Sequence, residues 1–162
     1  MEWLKLAIKK EDSIIIVNGQ TQLVIYEEDQ QKQSHLISQL NKLQESYPGA
    51  FDVYSFSEFP KHWHINQKTK ATPDIYVTAK PPFTFLKRKS YVSVETHGYD
   101  PKYTSEMKAL FIANGPNFKQ GEVTKSFDNI HVFPLLTELL SLPKSKLVKG
   151  DIKKIEHVLH KK

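Results

Sequence analysis

Residues 95–105 read ETHGYDPKYTS and place the imidazole of His97 in a tight, glycine-bearing turn after a short apolar run. Imidazole titrates close to neutrality, and its neutral form binds zinc through one ring nitrogen while a second acceptor holds the other. Gly98 lets the backbone turn without a Cβ clash. Asp100 can cap the turn or orient a neighbour. Loops that follow strands are where α/β proteins place ligand-binding groups. From these residues alone, two readings of His97 stay open: a surface histidine in a structural turn, or a metal ligand. His62 and His64, in HWH, form a second candidate pair, and in an extended segment both would share a face. No carboxylate or third histidine lies near them in sequence, and Trp63 between them argues for packing instead. Other chemistry is sparse. Ser90, Ser93 and Ser105 lack a nucleophile-elbow context, and Asn114-Gly115-Pro116 lacks a glycine-rich phosphate fingerprint. There is no cysteine, which excludes disulfides, thiolate zinc sites and cysteine nucleophiles together.

The elements that must position His97 are legible in outline. SIIIVNGQTQLVIYEE, 13–28, sets two β-branched runs around Asn18-Gly19 and predicts a β-hairpin. EEDQQKQSHLISQLNKLQESYPG follows, with Leu36, Leu40, Leu43 and Tyr47 at three- and four-residue steps, so a helix is expected, ended by Pro48-Gly49. FDVYSF (51–56), DIYVTA (74–79), YVSVE (91–95) and KALFIANG (108–115) read as strands, the last one buried, and residues 60–73 read as loop. Asn129 is the expected cap of a leucine-rich helix through IHVFPLLTELLSL, where Pro134 sits in the tolerated first turn. His131 there reads as a local hydrogen bonder. DIKKIEHVLHK (151–161) is expected to be a short helix capped by Asp151. Alternating strands and helices predict an α/β layer, yet the crossovers of a complete doubly wound sheet are missing.

Charge and composition narrow the function classes. The formal net charge is +5, but the lysines are scattered and the densest group, KRK at 87–89, is three residues long. That is no nucleic-acid footprint. No window of about 18 apolar residues occurs, so no membrane span is expected. The N-terminal MEWLKLAIKKEDS has charges among its apolar positions and does not read as a signal peptide.

The order HGYDP, Met107, Phe111-x-Ala113-x-Gly115-Pro116-x-Phe118, Phe127-x-Asn129 and a leucine-rich helix resembles the C-terminal part of the type I phosphodiesterase/nucleotide pyrophosphatase family, in the alkaline phosphatase superfamily. FPKHWHINQKTKATPDIYVTAKPPF looks like that family's proline–aromatic–histidine segment and Asp-led strand, with His64 and Asp74 in the matching places. The stretch from Gly150 to Leu159 is similar to its C-terminal tail. The resemblance is strongest over 97–142 and loosest over the first fifty residues. It implies the C-terminal portion of an alkaline-phosphatase-like α/β fold: part of a mixed central sheet with flanking helices, plus a β-hairpin, in a single partial domain of residues 1–162. Residues 1–50 would be the hairpin and helix, and 51–162 the family-like segment.

By the same resemblance, His97 matches a histidine that completes one of two zinc sites, with Gly98, Tyr99 and Asp100 shaping its loop. His64 matches a scaffold or substrate-side position. The substrate class would be nucleotides or other phosphodiesters. The implied reaction is hydrolysis of a phosphodiester or pyrophosphate bond by a threonine or serine nucleophile bound at paired zinc ions. The family pattern is incomplete here. There is no Asp-His pair, no Asp-x-x-x-His, and no threonine in the nucleophile motif. A catalytic zinc has three protein ligands, so one histidine cannot retain two zinc ions, and no catalytic residue is expected in this chain. A truncated non-catalytic remnant and a small phosphate-binding module are the alternatives. Expected associations are with the missing N-terminal part of the fold, or between copies through exposed strand edges. Members of the family are often exported, which leaves the compartment open.

Overall fold

The structure is a computed structural model that describes residues 3–4, 14–85, 96–143 and 148–160. The expected strand at 91–95 and the basic triplet at 87–89 lie outside the described residues. The chain divides into two units, residues 1–109 and 110–162.

Unit 1 is built on the predicted hairpin. Strand β1 is Trp3–Leu4, β2 is Ile15–Asn18 and β3 is Gln22–Tyr26. Between β2 and β3 the Gly19 amide donates to the Gln22 carbonyl at 2.8 Å, and the Asn18 side chain accepts from the Gln20 amide. The positive φ of this turn, 70°, falls on Gln20 and not on Gly19. Helix α1, Gln30–Ser46, starts where the Asp29 carboxylate accepts from the amides of Gln31 and Lys32. Leu36 and Leu40 are buried on one side of the helix, with Ile37 and Leu43 packed beside them. Tyr47, expected on that face, lies just past the helix end and is exposed. Strands β4, Phe51–Ser55, and β5, Ile75–Ala79, complete a four-stranded antiparallel sheet of order β2-β3-β5-β4. A short strand β6, Thr84–Phe85, pairs in parallel with β1.

Period-two alternation sorts this sheet into two faces. Leu23, Ile25, Phe51, Ile75, Val77 and Ala79 join Leu36 and Leu40 in one core. The other face carries Asp52 and Tyr54 opposite Thr78 and Tyr76. Residues 60–73, expected as loop, contain a 3₁₀ turn at Lys61–Trp63, which lays aromatic rings on that second face. Trp63 sits 5.3 Å from Tyr54 and 4.7 Å from Tyr76, ring centre to ring centre.

Unit 2 is organised differently. The stretch from 110 to 115 was expected as a buried strand. It is irregular, and Leu110 and Ile112 are 84% and 78% exposed. The apolar run is there, but a strand requires a neighbour for its amides and carbonyls, and none pairs with it among the described residues. Phe111 turns inward onto Phe127, edge to face at 5.1 Å. Asn129 is not a helix cap but the first residue of a 3₁₀ turn, Asn129–His131, that leads into helix α2, Val132–Leu139. The segment 151–161 forms two 3₁₀ turns, Ile152–Lys154 and Glu156–Val158, instead of one α-helix. Ile152, Ile155 and Val158 recur every third residue, which suits three residues per turn; Ile155 and Val158 are buried. Asp151 does cap the first turn, accepting from the Lys153 amide. The His131 Nδ1 accepts from the Asp151 amide at 2.9 Å, the local bond expected of it. Gly150 is required by space: a Cβ there would lie 2.0 Å from the Ile130 carbonyl oxygen. No helix among the described residues is long and apolar enough to cross a membrane.

Candidate functional site

The His97 loop is held by three groups, all within unit 1. Thr21, fully buried in the hairpin turn, donates its hydroxyl to the His97 carbonyl at 3.0 Å. Tyr99 is buried and donates its hydroxyl to the Phe83 carbonyl at 2.8 Å. Asp100 is the third anchor. Its Oδ2 accepts from His62 Nε2 at 2.7 Å and from the Trp63 indole N–H at 3.0 Å, and its Oδ1 accepts from the Lys102 amide at 2.9 Å. The carboxylate is acceptor-only, so it selects the His62 tautomer that carries its proton on Nε2. Between these anchors the His97 side chain itself is exposed.

Gly98 has a specific steric reason. Its φ is +96°, and a Cβ built there would stand 2.7 Å from the Thr21 hydroxyl oxygen. The turn can press against the hairpin only because residue 98 has no side chain. The hairpin turn also binds β6, with the Phe85 amide donating to the Gln20 carbonyl and the Asn18 side-chain amide to the Phe85 carbonyl. The hairpin turn therefore holds both Phe85 and the turn at His97 and Gly98.

The electrostatics follow from this packing. Burial pushes the Asp100 carboxyl upward, but the Lys102 amide, the Trp63 indole, and the bond and charge of His62 outweigh it and hold it below the usual carboxylate range. Tyr54, partly buried beside Asp52, is pushed up to about 12. Tyr76 and Tyr99 are raised by burial. A small cavity of about 130 Å³ opens beside these groups, with Asp52, Tyr54, Lys80, Asp100 and Tyr103 among its walls. Lys80 pairs with Asp52 there at 2.8 Å.

His62 and His64 do not form a pair. The 3₁₀ turn sends His62 to Asp100, while His64 ends the turn in a left-handed conformation, φ 57°, and is exposed. Asp74 serves structure: it accepts from Lys68 Nζ at 2.6 Å and from the Glu27 amide at 3.1 Å. Sequence reasoning missed Thr21, and it missed the His62–Asp100 bond. Thr21 carries no local signal at all, and the 38-residue gap between His62 and Asp100 hides their contact.

Zinc requires more donors than this loop holds. Among the described residues, no group of three or more His, Cys, Asp or Glu side chains lies together. The donors among the described residues do not by themselves make up a zinc centre.

Comparison with known proteins agrees on the family. The model of type I phosphodiesterase / nucleotide pyrophosphatase matches residues 2–100, which takes in the first fifty residues and ends on Asp100. A venom phosphodiesterase of Naja atra is 34% identical over 93 residues, 57% of this chain and 11% of that protein. An uncharacterized pyrophosphatase/phosphodiesterase of Schizosaccharomyces pombe is 30% identical over 115 residues, 65% of this chain and 24% of that protein. In fold, murine ectonucleotide pyrophosphatase / phosphodiesterase 5 is similar at a TM-score of 0.78 with 21% identity, over 98% of this chain and 41% of that one. The human protein gives 0.75 over 94% and 39%. The chain thus spans between about a tenth and a quarter of these curated relatives, and about two fifths of the solved structures. Its fold is α/β, and its structural neighbours have the alkaline-phosphatase-like fold. A family model that covers residues 2–100 and ends on the anchored HGYD loop places this chain in the type I phosphodiesterase / nucleotide pyrophosphatase family.

Proposed function

We propose that this chain is the C-terminal part of a zinc-dependent phosphodiesterase or nucleotide pyrophosphatase, and that its contribution to the metal centre is the imidazole of His97. The observation that supports this reading is an exposed His97 side chain on a backbone held by Thr21, Tyr99 and Asp100. A histidine with only a packing role would not call for an anchored backbone under a solvent-facing ring. The reaction in this reading is hydrolysis of phosphodiester or pyrophosphate bonds in nucleotides or related substrates. The threonine or serine nucleophile and the other zinc ligands come from outside these 162 residues. Bound zinc ions would activate that nucleophile and neutralise charge on the phosphoryl oxygens. The chain's own residues orient the ligand: Asp100 ties the loop to the 61–63 turn, and Gly98 permits its approach to the hairpin. His64, exposed on the same 60s segment, serves as a scaffold or substrate-side group.

By itself the chain neither retains zinc nor turns over substrate. The test is zinc content and hydrolysis of a chromogenic phosphodiester, measured on the isolated chain and on the chain reconstituted with the remainder of a family member. The expected result is neither zinc nor turnover in isolation, and zinc binding in the reconstituted form that weakens at least tenfold in His97→Ala. Zinc near two per isolated chain, or reconstituted zinc binding indifferent to His97→Ala, would sink the proposal.

A further inference from the structure

Two stretches of unit 2 meet around a cavity of about 580 Å³. One is the loop 123–128, which leads into the Asn129–His131 turn. The other carries the two C-terminal 3₁₀ turns, Ile152–Lys154 and Glu156–Val158. Small-molecule sites are concave and of roughly 300–1,000 Å³, so this cavity has the size of one. Its donors come from both stretches. Lys125 and Ser126 stand on the loop, His131 on the turn that follows, and Lys154 and His157 on the C-terminal turns. Lys154 and His157 are three residues apart, which places them on one side of a chain that turns every three residues. Ile155 and Val158, one position further on, are buried. Lys119 braces this wall: its amide donates to the Val158 carbonyl at 2.9 Å and its Nζ to the His157 carbonyl at 2.7 Å.

The charge in the cavity has a sign. Two ammonium groups, Lys125 and Lys154, stand against one carboxylate, Asp128. Among the described residues neither lysine is engaged in an ion pair. His131 accepts from the Asp151 amide through Nδ1, so its neutral ring carries the proton on Nε2 and that nitrogen is a donor. Donors thus outnumber acceptors, and they come from separate elements. A phosphate group offers three acceptor oxygens and close to two negative charges, and lysine binds it as a point charge. Beside the donors, Val123, 90% exposed, and Phe127, seated on Phe111, make an apolar margin. We propose that this cavity is a binding site for a phosphomonoester: its phosphate meets Lys125, Lys154, His131 and His157, and its organic part lies against Val123 and Phe127. The site lies wholly within unit 2 and uses none of the residues that hold the His97 loop.

The test is a titration of the 162-residue chain with phenyl phosphate, inorganic phosphate and benzoate, followed by calorimetry and by backbone amide shifts. EDTA is present throughout, so zinc at His97 cannot hold the probe, and the outcome is independent of His97 as a ligand. Phenyl phosphate is expected to bind saturably, with shifts centred on residues 123–131 and 152–158. Lys125→Gln and Lys154→Gln should each weaken it by roughly fivefold or more. Lys42→Gln, which removes the same charge from an exposed position of α1, should leave binding unchanged. Inorganic phosphate and benzoate should both bind more weakly, the first for want of the ring and the second for want of charge and oxygens. No saturable binding of phenyl phosphate overturns the proposal. So do shifts centred elsewhere, equal affinity for either of the other probes, or a loss in Lys42→Gln equal to that in Lys154→Gln, which would reduce the effect to net charge.

Discussion

Unit 1 and unit 2 are made of similar residues but stand at different levels of completion. In unit 1, twelve apolar residues form one buried cluster between α1 and the sheet. In unit 2, three apolar residues are buried, Leu135, Ile155 and Val158, while seven large ones are exposed among the described residues. Burial of apolar surface is the main driving force of folding, at roughly 25 cal/mol per Å². A unit with few fully buried apolar side chains among its described residues draws less on that force. Unit 1 is the part of the chain built to stand alone, and it carries the His97 loop. Unit 2 keeps more of its large apolar side chains exposed. The His97 loop thus sits on the unit with the larger buried core.

The sharpest way to break this contrast is to remove the core on which it depends. Phe51 is fully buried and meets Phe85 edge to face at 6.1 Å. Phe51→Ala is expected to cost about 3–5 kcal/mol and to unfold unit 1, read as a lowered urea midpoint and as loss of slow amide exchange across β3 and β5. Leu135→Ala in unit 2 should fall near the lower end of about 2–5 kcal/mol, because few buried neighbours surround it. Exchange should rise in α2 and not in the sheet. If both variants raise exchange everywhere at once, the chain is one cooperative unit and the contrast fails.

Two smaller changes sharpen what the framework does for the loop. Gly98→Ala forces a Cβ into the Thr21 hydroxyl at a φ of +96°, a strain of about 1–3 kcal/mol. Chemical-shift changes should centre on residues 20–22 and 96–100, with the α1 side of the core unmoved. Asp100→Asn leaves His62 or Trp63 without its charged acceptor and should cost about 1–3 kcal/mol. It also carries a pH signature. The folded carboxyl titrates below its unfolded value, so its stabilisation is complete above about pH 4. It is lost as pH falls through the usual carboxylate range toward the folded value. The stability difference between the native chain and Asp100→Asn should therefore shrink on acidification, measured as melting temperature from pH 6 down to pH 3. A difference that grew in acid would put the wrong group at this contact. The smallest effect belongs to an exposed side chain of α2. Leu136→Glu in the isolated chain should change stability by no more than about 0.5 kcal/mol, since the side chain is already half exposed.

Much of unit 1 was legible because its signals are local. The apolar runs 15–17 and 23–25, the leucine steps of α1 and the Pro48-Gly49 stop each act within a few residues, and all appear where expected. The HGYD loop was legible as a unit of chemistry. Its supports were not. Thr21 reaches His97 across 76 positions, and His62 reaches Asp100 across 38. No periodicity connects them.

Unit 2 shows the converse error. KALFIANG has the composition of a buried strand, and the expectation of burial failed, because composition records what a segment prefers and not whether a neighbour is present. Here no strand forms over 108–115, and Leu110 and Ile112 are exposed. Likewise 151–161 has helical apolar spacing, but the packing at Gly150, where a Cβ would meet the Ile130 carbonyl, and the three-residue step of Ile152, Ile155 and Val158 select 3₁₀ turns.

What the residues determined alone is the class of chain and its one candidate ligand. Hairpin, helix and strand types follow from local propensity and turn chemistry, and His97 stands out because a glycine-bearing turn presents it. What only the tertiary structure decided is how the His97 loop is held and which apolar segments are buried. Both depend on contacts between distant segments, and a distant contact exists only once the whole of the local framework has been assembled around it.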